Sequence, residues 1–561
     1  MRQLGSGCGK SLLVAPCATK TSAFSGNLVW RIASSLRSSR RLLALILLLG
    51  VCAPVFAEPS REPTARHRYR LSATLDPDQH RVDGELWIRF VNHASRAVSE
   101  LYFHLYPNAF ESTKTVFMRE GGAHIRDRSL AHPGSLTLSV LETAQGVDLL
   151  PHAESELIPH DKTQLRVALP RAVAPGETLE LHLRFRTQLP EIVARSGYAG
   201  RFHMLGQWFP KLAKLEPDGT FASFPYHGLG EFYADFADYE LSLRVPRSYV
   251  TAAGGERTRT SEDGSFRTDT FVAERVHDMA AACDPELERY TGRAGNVQIA
   301  LYAPPGYGAA ADRQLKLIAA GLEYFGAAYG PYAYPQLNVV IPPEAAGGAA
   351  GMEYPTLFLS GGPWWALPDA LPDPNHDVIA AHELAHQWFS SLIATNEVET
   401  PMLDEGLAEW ASLDFLRARA RAFGKVFDPF DMLDATFLFR GHPVPSSLLP
   451  AHAYKYDKLA RAVYLRPARV LDQIERRHGR APLMTALRSY ALAQRFRHPT
   501  FADLAAAFDG AFGPGFAARE LTPALSGKTD LADVGTVRPD ARRFFSDVWF
   551  AVQLLLHVLG P

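Results

Sequence analysis

Residues 382–386 read His382-Glu383-Leu384-Ala385-His386, and after 18 intervening residues Glu405 stands in Met402-Leu403-Asp404-Glu405-Gly406-Leu407-Ala408-Glu409-Trp410. On a helix, side chains four apart lie one turn above each other, so both imidazoles can face one metal ion with Glu383 beside them. Val378-Ile379-Ala380-Ala381 and Trp388-Phe389 extend an apolar helical face on either side, and Asp373 or Asp377 can cap its start. The five-residue pattern alone is a modest signal, and a third ligand strengthens it. Two His and one carboxylate leave a fourth coordination position for water, which is how a catalytic zinc site differs from a structural one. Glu405 is the expected third ligand, with Glu409 as the alternative.

The rest of the chain sets the context. Its 561 residues are 47% hydrophobic and 21% charged, enough apolar surface for more than one domain. With 58 Lys and Arg against 60 Asp and Glu, no global basic bias points to nucleic acid, and none is expected as a partner. That balance is uneven along the chain. Residues 1–41 hold Arg2, Lys10, Lys20, Arg31, Arg37, Arg40 and Arg41 and no acid, and the uncharged run Leu42–Phe56 follows. This is the layout of an export signal cleaved after Ala57, which predicts a periplasmic or extracellular protein. The run has 15 residues, short of the roughly 20 that span a bilayer as a helix. Left uncleaved, the segment would anchor the chain to a membrane. Beyond it remain 51 basic and 60 acidic side chains, a formal charge of −9, and a single cysteine, Cys283, so no disulfide can form within the mature chain.

Between Tyr69 and about Val250, apolar and polar residues alternate in Tyr69–Leu75, Gly84–Val91, Thr178–Thr187 and Tyr239–Val245, separated by turn signals such as Pro175-Gly176. The expected fold is multidomain α+β. It comprises a signal over 1–57, an all-β domain over 58–292, a mainly helical catalytic domain with a small sheet over 293–512, and a short tail over 513–561. In the catalytic domain a strand is expected at Val297–Ala303, a helix near Ala311–Tyr329 and a strand at Leu337–Ile341. In the tail, Asp547–Leu559 reads as an amphipathic helix docked on the protein.

The zinc motif with its downstream Asp-Glu-Gly-Leu-Ala setting resembles the aminopeptidase N and leukotriene-hydrolase family of gluzincin metallopeptidases. Ala350-Gly351-Met352-Glu353-Tyr354 is similar to that family's Gly-Ala-Met-Glu-Asn exopeptidase motif. His104-Leu105-Tyr106-Pro107-Asn108-Ala109-Phe110 and Gly230-Glu231-Phe232-Tyr233 also look familiar, so the likeness covers most of 65–510. It implies a saddle-like β domain followed by a thermolysin-like domain holding one Zn2+ per chain, and peptides as substrates.

Chemistry assigns Glu383 as the general base that takes a proton from zinc-activated water and passes it to the leaving amine. The resemblance implies that Glu353, on a strand continuing through Thr356–Leu359, binds the substrate's free α-ammonium and makes the enzyme an exopeptidase. The backbone of Ala350, Gly351 and Met352 would pair with substrate as an added strand; a plain flexible loop is the alternative. The family's oxyanion-stabilising tyrosine is matched by Tyr464 in Val463-Tyr464-Leu465-Arg466-Pro467-Ala468, with Tyr454 and Tyr456 as competitors. In that segment Leu465 and Pro467 depart from the family's Tyr-Glu-Lys-Gly-Ala. Tyr354 stands where Asn is usual, and Ser390-Ser391 where Gly-Asn is common. Gln207 reads as structural, with assistance to amine binding as its other reading. The resulting expectation is an exported zinc aminopeptidase; the alternative is a catalytically silent binding or scaffold protein that keeps the fold.

Overall fold

The computed structural model describes residues 66–120, 130–365, 375–422, 429–430 and 444–527. The expected export segment and the helix at Asp547–Leu559 lie outside the described residues.

Strict alternation builds the first layer. Seven strands, β1 (His67–Asp76), β2 (Arg81–Val91), β3 (Ser135–Thr143), β4 (Thr178–Gln188), β5 (Ala237–Pro246), β6 (Glu256–Asp263) and β7 (Phe266–Val276), form one sheet in the order β6-β7-β5-β1-β2-β4-β3. Only β1 and β5 run parallel; the other pairs are antiparallel. One face buries Tyr69, Leu71, Ala73 and Leu75 of β1 beside Tyr239, Leu241, Leu243 and Val245 of β5. The Tyr69 and Tyr239 rings stack at 4.5 Å across this pair. Burying each large side chain contributes about 1.5–3 kcal/mol, so a one-residue slip would turn the whole set to solvent. The N-terminal region is thus mostly strands, as its alternation predicts.

A second sheet joins β8 (Glu288–Ala294), β9 (Val297–Ala303), β10 (Gln336–Val340) and β11 (Leu357–Leu359) in that order. Because β8 pairs along its length with β9, the expected domain boundary at 292 falls inside a strand of this sheet. Helix α1 (Gly308–Tyr329) connects the parallel neighbours β9 and β10, the crossover that parallel pairing demands. Then follow α2 (Asn375–Ala385), α3 (Glu405–Ala422), α4 (Arg466–His478), α5 (Arg480–Ala493) and α6 (Phe501–Phe512). Leu384, Trp388, Leu407, Trp410, Phe325 and Phe415 share one core. Arg417 ties α3 to α4, donating to Asp472 at 3.1 Å and to Glu475 at 3.0 Å. Phe516, Ala517, Leu521 and Leu525 join the same core, so helical packing continues past 512 into the described start of the tail.

Two local expectations are corrected. The helix carrying the zinc motif stops at Ala385, and Trp388 and Phe389 are buried from the turns that follow. Beyond Ala385 the backbone bonds become irregular, with Gln387 N–H donating to Leu384 O and Ser391 N–H to His386 O, and Ser390 at a φ of 147° ends these turns. The strand expected at Thr356–Leu359 begins only at Leu357, with Glu353 in the loop before it. That loop sits on a third core cluster drawn from both regions, in which Tyr106, Tyr226 and Phe232 pack with Met352, Tyr354 and Leu359. Asp377 lies in the first turn of α2 but bonds Arg313 at 2.7 Å, whereas Asp373 lies outside the described residues. Among the described residues no helix is long and apolar enough to cross a membrane.

Several histidines are buried as neutral rings. Burial pushes His104 and His498 down to about 3 and His277 to about 4. Their folded values lie below the unfolded 6.5, so the stability they favour is present above pH 6.5 and is lost as pH falls below it. Urea midpoints should therefore hold between pH 8 and 7 and fall between pH 6.5 and 4. His104 stacks on Tyr106, and neither of its ring nitrogens meets a hydrogen-bond partner. His104→Phe should keep the stack and raise stability at pH 5 by about 1–3 kcal/mol, read as a shifted urea midpoint.

Candidate metal centre

The last turn of α2 and the first of α3 bring the expected ligands together. His382 and His386 Nε2 stand 3.0 Å apart, and Glu405 Oε2 is 3.2 Å from each. Four ligands at 2.0–2.1 Å from a tetrahedral zinc are separated by roughly 3.3 Å, so this triangle fits three of them. The outer nitrogens support the fit. His386 Nδ1 donates to Asp404 Oδ1 at 2.6 Å and to Phe389 O at 2.9 Å, and His382 Nδ1 lies 3.0 Å from Glu409 Oε2. With protons on Nδ1, both Nε2 atoms present lone pairs to each other, an arrangement that a cation between them relieves. Glu409, the alternative ligand, thus meets the far side of His382 and lies away from the triangle.

Asp404, Glu405 and Glu383 are all buried. Burial acts to raise Glu405, but its bonds to both histidines outweigh that and hold its carboxyl well below the usual range. Burial pushes Glu383 up to about 7 against the opposing pull of His382 and His386. Glu383 Oε2 has no hydrogen-bond partner, and its Oε1 faces Gly351, where an added Cβ would lie 3.6 Å away.

Glu353 is 4% exposed, and its Oε1 is likewise without a partner. Burial, with Asp404, Glu405 and Glu231 nearby, raises its carboxyl well above the usual range, while His386 pulls it down. The segment before it is not a loose loop. The N–H groups of Gly351 and Met352 bond Leu359 O, and that of Ala350 bonds Gly347 O. Their carbonyls are engaged as well, Met352 O accepting Leu359 N–H at 2.8 Å and Ala350 O and Gly351 O accepting from Arg195, so pairing with a substrate strand would fall to their second lone pairs.

Tyr464 occupies a π-helical turn, Ala460–Leu465, a departure from α-helix that often marks a functional site. Its hydroxyl donates to Glu405 Oε1, and its ring stacks on His382 at 5.8 Å. Tyr454 is committed elsewhere: its hydroxyl donates to Ser446 O at 2.6 Å and accepts from Leu449 N–H. The side chain of Tyr456 lies outside the described residues. Gln207 is buried and donates to Asp278 within the strand-rich region, in agreement with its structural reading.

Sequence reasoning gave Glu409 a different role, as the alternative ligand, and missed Asp404 and Arg195. Asp404 and Glu409 hold the outer faces of the histidines, and adjacency to Glu405 was their only signal. Arg195 reaches Gly351 O from 156 residues away, with no sequence signal at all. A separate group, His67, His93 and Asp235, also brings ligand-type atoms together. There His67 Nδ1 accepts Val91 N–H at 3.1 Å, so its Nε2 carries the proton that faces Asp235, and the cluster is a hydrogen-bonded one.

Comparison with known proteins agrees with the motifs. Residues 310–515 match the peptidase family M1 domain. Aminopeptidase N of Acetobacter pasteurianus is 24% identical over 184 residues, covering 31% of this chain and 51% of that protein. Aminopeptidase 2 of Candida albicans is 24% identical over 254 residues, 43% of this chain and 26% of that one. The chain thus spans about half the length of the first of these relatives and about a quarter of the second. The M1 zinc metallopeptidase from Deinococcus radiodurans shares the fold at a TM-score of 0.60, with 19% identity over 83% of this chain and 94% of that one. A substituted form of it bound to a Tyr-Ser-Ala substrate superposes at 0.58. The likeness to aminopeptidase N-type gluzincins is therefore carried by motif, family domain and fold, and the M1 family implies zinc.

The approach of Tyr464 to the metal ligands depends on Gly406, where an added Cβ would lie 2.5 Å from Pro467 and 2.9 Å from Val463 O. Gly406→Ala should separate the π-turn from α3, lowering stability by about 1–3 kcal/mol in thermal melts and weakening zinc retention against a chelator.

Proposed function

We propose that this chain is a zinc-dependent aminopeptidase, exported through its first 57 residues, that removes N-terminal residues from peptides. The observation that carries the reading is the convergence of His382, His386 and Glu405 on one point, with Glu383 and Glu353 beside it as buried carboxylates that each keep an oxygen free of partners.

His382, His386 and Glu405 hold one zinc ion, which when bound polarises a carbonyl and lowers the pKa of water from 15.7 to about 7. Glu383 takes a proton from the attacking water and returns it to the departing amide nitrogen, so that water is added across the broken C–N bond. Tyr464 supplies its hydroxyl proton as a hydrogen bond to the carbonyl oxygen as negative charge develops there, a role phenylalanine cannot fill. Asp404 keeps the His386 imidazole in the tautomer that leaves Nε2 free, and Glu409 places a carboxylate 3.0 Å from the outer nitrogen of His382. Glu353 accepts from the substrate's α-ammonium, the cation that a buried carboxylate among other acids lacks. An ammonium held there, at a set distance from the scissile carbonyl, selects the first peptide bond. The peptide as substrate class is drawn from the Tyr-Ser-Ala complex of the Deinococcus relative.

Glu383→Gln should bind zinc as wild type does and lose activity by about 10²–10⁴-fold, and Tyr464→Phe should lose about 10²–10³-fold. Zinc content and cleavage of aminoacyl p-nitroanilides, measured on the same preparations, check both. Wild-type protein that carries zinc and cleaves no member of a substrate panel would overturn the enzyme reading. Equal rates on free and N-acetylated Tyr-Ser-Ala would remove the role given to Glu353.

A further inference from the structure

We propose that Arg195 and Glu231, both from the strand-rich region, form a charged clamp that positions Glu353 and thereby sets selectivity for a free amino terminus. The inference rests on the aminopeptidase reading and adds to it two positioning residues outside the helical region.

Arg195 has a φ of 61°, an uncommon backbone state for a side chain of its size. That state sets its backbone against the segment leading to Glu353, where its N–H donates to Gly348 O at 3.0 Å. Contact is close enough that a Cβ on Gly348 would lie 2.6 Å from Val193 O. The guanidinium then divides its donors. Nη1 bonds Gly351 O and, at 3.3 Å, Ala350 O, while Nε at 3.2 Å and Nη2 both bond Glu231 Oε1. A planar fork can bridge a carboxylate and two carbonyls at once, which a lysine cannot.

The other flank of Glu353 is held from the same stretch of chain. A Cβ on Gly206 would lie 2.2 Å from Tyr354 Oη and 2.7 Å from Arg195 O, so Tyr354 is wedged against the backbone that carries Arg195. Glu353 is thereby fixed between Gly351, bonded by Arg195, and Tyr354, blocked by Gly206. Arg195 also places a positive charge near Glu353 as well as Glu231. With its donors engaged by the protein, Arg195 acts on the substrate through Glu353.

The test compares wild type with Arg195→Gln, Arg195→Lys and Glu231→Gln, using Tyr-Ser-Ala and N-acetyl-Tyr-Ser-Ala as probes, with zinc content and melting temperature recorded for each. Arg195→Gln should raise KM for the free peptide about 10- to 100-fold with a smaller change in kcat. Its preference for free over acetylated peptide should fall by a similar factor at wild-type zinc content, and Arg195→Lys should not restore it. A KM and a preference within twofold of wild type, or a fall in kcat alone, would overturn the clamp. Should Arg195→Gln fail to fold, Glu231→Gln decides, with a smaller rise in KM expected and an unchanged one overturning the proposal. Wild type that itself shows no free-amine preference defeats the aminopeptidase reading and the clamp with it, whereas a wild-type preference with unaffected variants defeats the clamp alone.

Discussion

Glu231, Glu353, Glu383, Glu397, Asp404 and Glu405 are drawn together in the interior, and their charges act on one another. Carboxylates gathered out of water repel and lose hydration, so the group is tolerable only with cations and donors among it. His382 and His386 face Glu405, Asp404 and Glu409; Arg195 faces Glu231; Lys211, 3.0 Å from Asp278, also acts on Glu397. A divalent ion at the histidine triangle supplies the largest positive charge such a site can hold. The same electrostatic need favours cations at the site, which under the proposed function are a divalent metal and a substrate ammonium.

That need also accounts for the strand-rich region's part in the site. Arg195, Glu231 and Lys211 all come from before β8, and His277 donates to Ser390 O from the same side. The third core cluster joins the two regions with Tyr226 and Phe232 against Met352 and Tyr354. Apolar burial there secures a relative position that hydrogen bonds of the polar network alone would leave adjustable. The β region thus serves as one wall of the site as well as its support.

Much of this was legible in the sequence, for identifiable reasons. The triad His382, His386 and Glu405 could be read because helical spacing turns four residues into one turn, and β1 and β5 because alternation has a period of two. The end of α2 at Ala385 was not legible, since the apolar pattern runs on through Trp388 and Phe389 and both are still buried from the turns that follow. Tyr464 could be named only by likeness, because a π-turn has no periodic signature. Arg195 was invisible for a simpler reason: its partners come from distant segments, and an isolated Arg before a turn reads like any surface residue.

Three of the departures from the family pattern are instructive because each meets a neighbour that accommodates it. Pro467 stands where the family has Gly, and its ring occupies space that Gly406 leaves open, so Tyr464 still reaches Glu405. Tyr354 replaces Asn, and Gly206 receives its hydroxyl end. Ser390 takes a backbone state suited to glycine, and its hydroxyl lies 3.4 Å from Glu397, a contact glycine could not make. At Pro467 and Tyr354 the added volume is met by a glycine that touches it, and at Ser390 the hydroxyl gains a buried partner, while His382, Glu383, His386 and Glu405 match the motif. Motif mismatch here falls on residues that pack around His382, Glu383, His386 and Glu405, and none of these four departs from the pattern.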